Sequence, residues 1–405
     1  MNILEKIIAQ KAGVKTVKVG DELTVKVDLA IAHDVTAPMA IKQFRSINVD
    51  KVFDKERVVF VMDHCVPCAT VDSRQQQKYI KEFAQEFGTR LFDKSEGVIH
   101  QVISDEKLYK SGDLIVGADS HTCTAGAYGA IALGVGSTDL AAVMALGTID
   151  MEVPVTHLIR IEGSLSKGVY AKDIILHVIG MFGTNGFTDR GVILSGSTIL
   201  GLSDDEKMTI SNMMIEMGAM IGYIDQSKEF DAKYIGKVSK ETVILAEDIQ
   251  PVAACPSSPD NIKVIENIEG VKINQAVIGS CTNGRISDMI IAAEVLKDRK
   301  VSENVNLVVC PASKKVLTEM EHQGLTKILR DAGAIVTNPG CGPCYGAHQG
   351  LLNHDDIAIS TTNRNFPGRM GHKDAQIYLA SPRVVAESAV QGHIVRPGTV
   401  IPLEV

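Results

Sequence analysis

Short apolar, β-branched runs at 58–62, 114–116, 276–278, 307–309, 334–336 and 357–359 alternate with stretches of helical apolar spacing such as 74–87 and 288–297. Short runs with no polar face suit strands covered on both sides, and the helical stretches between them supply the crossovers that parallel strands need. The pattern predicts an α/β fold built on mainly parallel sheets.

The alternation weakens between 156 and 265. That stretch holds a glycine-rich segment at 180–191, a Met-rich helical segment at 204–219 and a more polar segment at 227–249. Its end, 251–260, contains Cys255, Pro256 and Pro259 and has linker character. In the Met-rich segment Asn212 and Glu216 are four apart and share a helical face, while the methionines read as core filling. Three domains are expected: 1–155, 156–265 and 266–405. No internal repeat is evident.

Open α/β sheets bind ligands at the carboxyl ends of their strands, so the residues that follow each apolar run carry the most weight. After 58–62 comes Asp63-His64. After 114–116 comes Gly117-Ala118-Asp119-Ser120-His121-Thr122, and the later runs are followed by Cys281, by Cys341 with Cys344, and by Asn363-Arg364-Asn365-Phe366-Pro367-Gly368-Arg369. Asp, Ser and Asn are also ordinary turn residues, and any one position alone reads equally well as a capped turn. Repetition at strand end after strand end favours a site.

Composition narrows the choice. The chain has 405 residues, 45% hydrophobic and 22% charged, with formal net charge −8 and only 4% aromatic residues. It is expected to be an ordinary globular protein of several domains. The acidic balance argues against a general nucleic-acid or anionic-membrane binder, since phosphate contacts need clustered Lys and Arg. No run approaches a spanning helix of roughly 18 apolar residues, and the N-terminus lacks the long apolar core of a signal peptide. A cytoplasmic location is expected, where 8 cysteines are better explained by ligation or burial than by disulfides.

Cys281 sits in Gly279-Ser280-Cys281-Thr282-Asn283, and Cys341 and Cys344 sit in Pro339-Gly340-Cys341-Gly342-Pro343-Cys344. Small neighbours let backbone approach a bulky iron–sulfur cluster and offer N–H groups to its sulfurs. Three thiolates would leave one iron open to substrate, and an open iron is a Lewis acid that makes hydroxide a tolerable leaving group. Cys-Gly-Pro-Cys is also a thioredoxin-type sequence, so a thiol–disulfide oxidoreductase remains a rival.

Arg364 and Arg369 are shaped to bind carboxylates in a bidentate manner, or are surface arginines. Asp63-His64, His100 and Asp119-Ser120-His121 offer acid–base groups, and His64 beside a carboxylate could protonate a departing hydroxyl. Around Ser120 there is no Gly-x-Ser-x-Gly elbow. Gly134-Val135-Gly136 lacks the third glycine of a dinucleotide fingerprint and reads as loop or helix packing. Cys65-Val66-Pro67-Cys68 reads as wall of the same site, with a dithiol or metal pair as alternatives. Cys123, Cys255 and Cys310 read as buried small residues.

Taken in order, these motifs resemble the aconitase superfamily, and most closely the large subunits of 3-isopropylmalate dehydratase and homoaconitase of the short bacterial and archaeal type. The carrying sequences are His33-Asp34-Val35-Thr36, Asp63-His64, Gly97-Val98-Ile99-His100-Gln101, residues 117–124, Met208-Thr209-Ile210-Ser211-Asn212, residues 279–283, Cys341-Gly342-Pro343-Cys344 and Thr362-Asn363-Arg364-Asn365-Phe366. The resemblance covers almost the whole chain.

It implies a three-domain aconitase-like large subunit without the swivelling domain, carrying one [4Fe-4S] cluster on Cys281, Cys341 and Cys344 with one iron not bound by cysteine. It further implies that Asp63 and His64 form the acid pair and that His100, Asp119 and His121 organise water at that iron. Asn212 and Glu216 would contact the cluster or its water, and His33, Ser120, Arg364 and Arg369 would bind the carboxylates or hydroxyl of a small hydroxy di- or tricarboxylate. A small subunit carrying the swivelling domain would supply the serine base, in a heterodimer or heterotetramer, with no nucleic acid or membrane partner. The sequence ends at Val405 soon after Gly398-Thr399-Val400-Ile401-Pro402, and the chain alone is expected to be nearly inactive.

The expected reaction is the interconversion of 2- and 3-isopropylmalate by dehydration and rehydration in leucine biosynthesis. Cys65, Cys68, His372 and Lys373 depart from the common pattern. They leave homoaconitase or another 2-alkylmalate or dimethylmalate dehydratase as alternatives. A non-catalytic iron-sensing or RNA-binding relative is a further rival, weakened by the acidic charge.

Overall fold

The apolar runs form strands, and those at Val58–Val61, Leu114–Gly117 and Gln275–Gly279 are buried at every position. A computed structural model gives the structure and describes residues 1–400. Residues 401–405, which carry the expectation about the chain's end, lie outside the described residues.

Contacts divide the described chain into two compact units. The first comprises Met1–Lys94, Val102–Ser164 and Asn185–Asp248. It holds a five-stranded parallel sheet in the spatial order Arg90–Phe92, Val58–Val61, Leu29–His33, Leu114–Gly117, Ile131–Gly134. It also holds a four-stranded parallel sheet, Ile221–Ile224, Arg190–Ser195, Val155–Glu162, Lys240–Leu245, and a two-stranded antiparallel ribbon of Glu22–Lys26 and Thr148–Glu152. Leu29–His33 is central to the first sheet, with Val58–Val61 and Leu114–Gly117 on either side. Parallel neighbours end at the same edge, so His33, Asp63-His64 and Asp119 leave that edge together.

Helix packing fixes this edge. The helix Val71–Phe87 begins at Thr70, whose hydroxyl accepts from the Ser73 amide. It starts a turn earlier than the apolar spacing from 74 predicts, because this capping box satisfies amides that would otherwise be orphaned. Its Phe83 packs edge-on against Phe44 and Phe60, fastening the helix to the back of the sheet.

The second unit comprises Ser95–Gln101, Leu165–Thr184 and the chain from Ile249 onward. Its seven-stranded sheet runs Ile262–Val264, Val252–Ala254, Gln376–Leu379, Ile357–Ser360, Gln275–Gly279, Asn306–Cys310, Ile335–Val336. It is parallel from Gln376–Leu379 to Ile335–Val336, whereas Val252–Ala254 pairs antiparallel with both its neighbours. Gln275–Gly279 again sits inside, flanked by Asn306–Cys310 and Ile357–Ser360, so Cys281 and Asn363 emerge from adjacent strands. Among the described residues no helix is long and apolar enough to cross a membrane.

Candidate functional site

In the first unit, a polar chain of side chains grows from the shared sheet edge. Buried Asp34 accepts hydrogen bonds from the amides of Asp63, His64 and Cys65 at 3.3, 3.0 and 2.9 Å. A carboxylate that binds consecutive amides fixes the loop backbone, and Gln77 from the helix Val71–Phe87 reinforces it by donating to Asp34 and to the Cys65 carbonyl. On this platform His64 Nδ1 meets Asp63 Oδ1 at 2.5 Å. Burial disfavours the imidazolium, but Asp63, Asp34 and Asp119 together outweigh it and push the His64 pKa up to about 9.

The rings of His33 and His64 lie 4.1 Å apart between centroids. The Val35 amide donates to His33 Nδ1 at 3.2 Å, which assigns the His33 proton to Nε2, 3.0 Å from Asp119 Oδ2. Asp119 Oδ1 accepts from the His121 amide at 2.6 Å, and His121 Nε2 lies 2.8 Å from Glu216 Oε1. His33, Asp34, Asp63 and His64 also form a group compact enough to hold a metal ion. Asp34 is already committed to three amides there, and a structural role accounts for it.

Glu216 reaches His121 from a 3-10 turn, Met214–Met217, because the helix Asp204–Met213 tightens at its end. The expected shared face with Asn212 therefore does not form in regular α geometry. Asn212 turns to donate to Thr124 Oγ1 at 2.9 Å, in the segment that follows His121. Ser120 lines a cleft of about 250 Å³ with Cys123, Leu133, Val135, Ile215 and Met220.

In the second unit the three cysteines converge. Cys281 lies in the short turn Ser280–Asn283 and packs with Cys341, Val98 and Ala312. Asn363 joins it to the third cysteine: Nδ2 donates to Cys281 Sγ at 3.3 Å, and the Cys344 thiol donates to Oδ1 at 3.7 Å. Arg369 Nη2 lies 3.8 Å from Cys344 Sγ. Arg364 is half-buried between Asn363 and Asn365, and Asn365 Nδ2 donates to the carbonyl of Cys255 at 2.8 Å.

Two glycines permit this crowding. A Cβ on Gly279, at φ +138°, would lie 2.1 Å from the Cys310 carbonyl oxygen, and one on Gly342, at φ +60°, would lie 2.3 Å from Cys310 Sγ. Burial pushes the Cys310 thiol up to about 12, so it stays protonated beside the Cys341–Cys344 turn. Buried thiols gathered on small turns, with amide and guanidinium donors at the sulfurs, fit the donor set of a three-cysteine cluster.

His100 is also buried in this unit, and its neighbour Gln101 accepts from Arg285 Nε at 3.0 Å. Arg285 further donates to the carbonyls of Thr282 and Cys281 at 2.6 and 2.7 Å. Buried Lys172 donates to the carbonyls of Thr361 and Thr362, both at 2.6 Å, and to Asn283 Oδ1 at 3.4 Å. Sequence reading assigned no role to Asp34, Lys172, Arg285 or Asn363. The available signal was a charged pair, Lys172-Asp173, at the head of the apolar run 174–182, where a surface helix would place its charges on a separate face.

Cys65 and Cys68 are half-buried, and burial, helped by Asp34, Cys68 and Asp63, pushes Cys65 up to about 11. His372 and Lys373 are exposed, and His372 Nδ1 accepts from the Asp374 amide at 3.2 Å.

The model of the Aconitase family (aconitate hydratase) matches residues 5–261 and 254–392. A probable 3-isopropylmalate dehydratase large subunit of Methanothermobacter thermautotrophicus is 40% identical over 98% of this chain and 99% of its own length. A probable methanogen homoaconitase large subunit of the same organism is 42% identical over 98% and 97%. The 3-isopropylmalate dehydratase large subunit of Acetivibrio thermocellus is 42% identical over 98% and 99%. The crystal structure of Thermococcus kodakaraensis aconitase X in its holo-form superposes with a TM-score of 0.56 at 12% identity, covering 90% of each chain, a likeness of fold.

Proposed function

This chain belongs to the aconitase family, and we propose that it is the large subunit of a [4Fe-4S]-dependent hydro-lyase, a 3-isopropylmalate dehydratase interconverting 2- and 3-isopropylmalate. The observation that carries the reading is the convergence of Cys281, Cys341 and Cys344 around Asn363, in a chain similar over nearly its full length to large subunits of that name. The three-part division at 1–155, 156–265 and 266–405, a cytoplasmic location and a small partner subunit belong to the same proposal.

Cys281, Cys341 and Cys344 would hold the cluster. When bound, it supplies a Lewis-acidic iron that polarises a hydroxyl group. A thiolate at Cys344 has no proton to give, so Asn363 keeps its donor toward Cys281 while Arg369 serves Cys344. Arg364 and Arg369 carry fixed positive charge for substrate carboxylates. In the first unit, His64 holds a proton at neutral pH with Nδ1 engaged by Asp63, and it delivers that proton from Nε2 to the departing hydroxyl. The chain His33, Asp119, His121, Glu216 orients water and fixes tautomers.

The test is anaerobic purification with the candidate small subunit, iron and sulfide analysis, and assays on 2-isopropylmalate, homocitrate, citrate and dimethylmalate. Iron and sulfide with fastest turnover of 2-isopropylmalate are expected. Preference for homocitrate would select the homoaconitase reading, which the 42% identical relative of that name supports. Absence of iron after reconstitution would sink the hydro-lyase reading.

A further inference from the structure

We propose that Lys172 is a positioning residue for the three-cysteine site: its buried ammonium ties the turn carrying Cys281 to the turn carrying Asn363 and sets the charge beside the thiolates. The inference rests on the cluster reading above. Lys172 is fully buried at the start of the helix Ala171–Phe182. Its three N–H donors meet three acceptors, the carbonyls of Thr361 and Thr362 and Oδ1 of Asn283. Thr361 and Thr362 precede Asn363, the side chain that touches both Cys281 and Cys344. Asn283 closes the turn of Cys281 and is itself held by Nδ2 donating to Asp288 at 2.9 Å. One cation therefore clasps both strand ends from which the sulfur contacts spring.

The charge has a second effect. Burial is the largest influence on Lys172, and it pushes the ammonium down to about 7, against support from Asp288, Cys281, Cys344 and Asp173. Attraction between Lys172 and the two cysteines is mutual, so where the ammonium is charged, below about 7, it stabilises negative charge on the sulfurs. Around a redox-active cluster that attraction favours the reduced, more negative state.

The experiment compares Lys172→Gln, which removes the charge but keeps amide donors, with Lys172→Arg, which keeps the charge. Each is reconstituted anaerobically with wild type as control, and iron content, apo-protein melting and cluster midpoint potential are measured. Lys172→Gln should make reduction roughly tenfold less favourable, about 59 mV lower for one electron, while Lys172→Arg should stay near wild type. An unchanged potential in Lys172→Gln, with or without a lower melting temperature, would reduce Lys172 to a structural residue and overturn the inference. If Lys172→Gln does not fold, Lys172→Arg decides: a tenfold shift with the charge kept overturns it, and wild-type potential and iron content support it. Failure of wild type to take up iron would instead remove the cluster reading itself.

Discussion

His64 Nδ1 lies 2.5 Å from Asp63 Oδ1, and this contact opposes the burial that would otherwise discharge the ring. An imidazole donates a proton near neutral pH only as the imidazolium. Activity that needs this proton should persist below about 9 and fall as pH rises through that value. The stabilisation has the same sign: the raised pKa contributes fully below the unfolded value of about 6.5 and is lost as pH rises through about 9. Asp63→Asn should move the basic limb of the kcat profile to lower pH, and an unmoved limb would assign the proton to another group.

Asp34 serves the same group from beneath. Its carboxylate accepts three consecutive amides, so Asp34→Ala leaves buried donors unsatisfied and should destabilise the protein by on the order of 3 kcal/mol. Urea unfolding reads the loss. Asp34→Asn should cost less, because one amide oxygen still accepts.

Much of the polar cluster in each unit was legible because parallel strands deliver their following residues to one edge of their own sheet. Asp63-His64, Asp119, His121, Cys281, Cys341 and Cys344 all follow apolar runs, and the family resemblance named the same positions. Asp34 and Lys172 were harder to read, since their roles lie in backbone partners far along the chain: Lys172 meets Thr361 and Thr362. A sequence prints side chains, and it does not print which distant carbonyl is left without a donor. Glu216 shows the complementary limit, because helical spacing placed it near Asn212 but the 3-10 tightening of Met214–Met217 sets its direction toward His121.

Arg285 offers a test of the frame behind Cys281. Its guanidinium is buried and spans Gln101, Thr282 and Cys281. Arg285→Lys keeps a charge but not the planar fork, so it cannot reproduce all three contacts. A loss of roughly 2–4 kcal/mol is expected from unfolding measurements, by analogy with breaking other buried charged networks. Stability within about 0.5 kcal/mol of wild type, the usual range for a surface change, would show the fork to be dispensable.

Cys344 and Arg364 separate cluster holding from substrate holding. Cys344 reaches Asn363 and Arg369 through its sulfur, so Cys344→Ser removes a soft ligand and should abolish stable cluster binding, read as lost iron, sulfide and visible absorbance. Arg364 follows Asn363 directly but is half-buried, and the adjacent Asn365 is pinned to the Cys255 carbonyl. The turn should therefore survive Arg364→Lys. That variant should keep wild-type iron and lose turnover by about 10²-fold, the scale of one lost electrostatic contact to the transition state. Equal loss of iron in both variants would make Arg364 a part of the cluster's frame, and retention of turnover in Arg364→Lys would remove it from substrate binding.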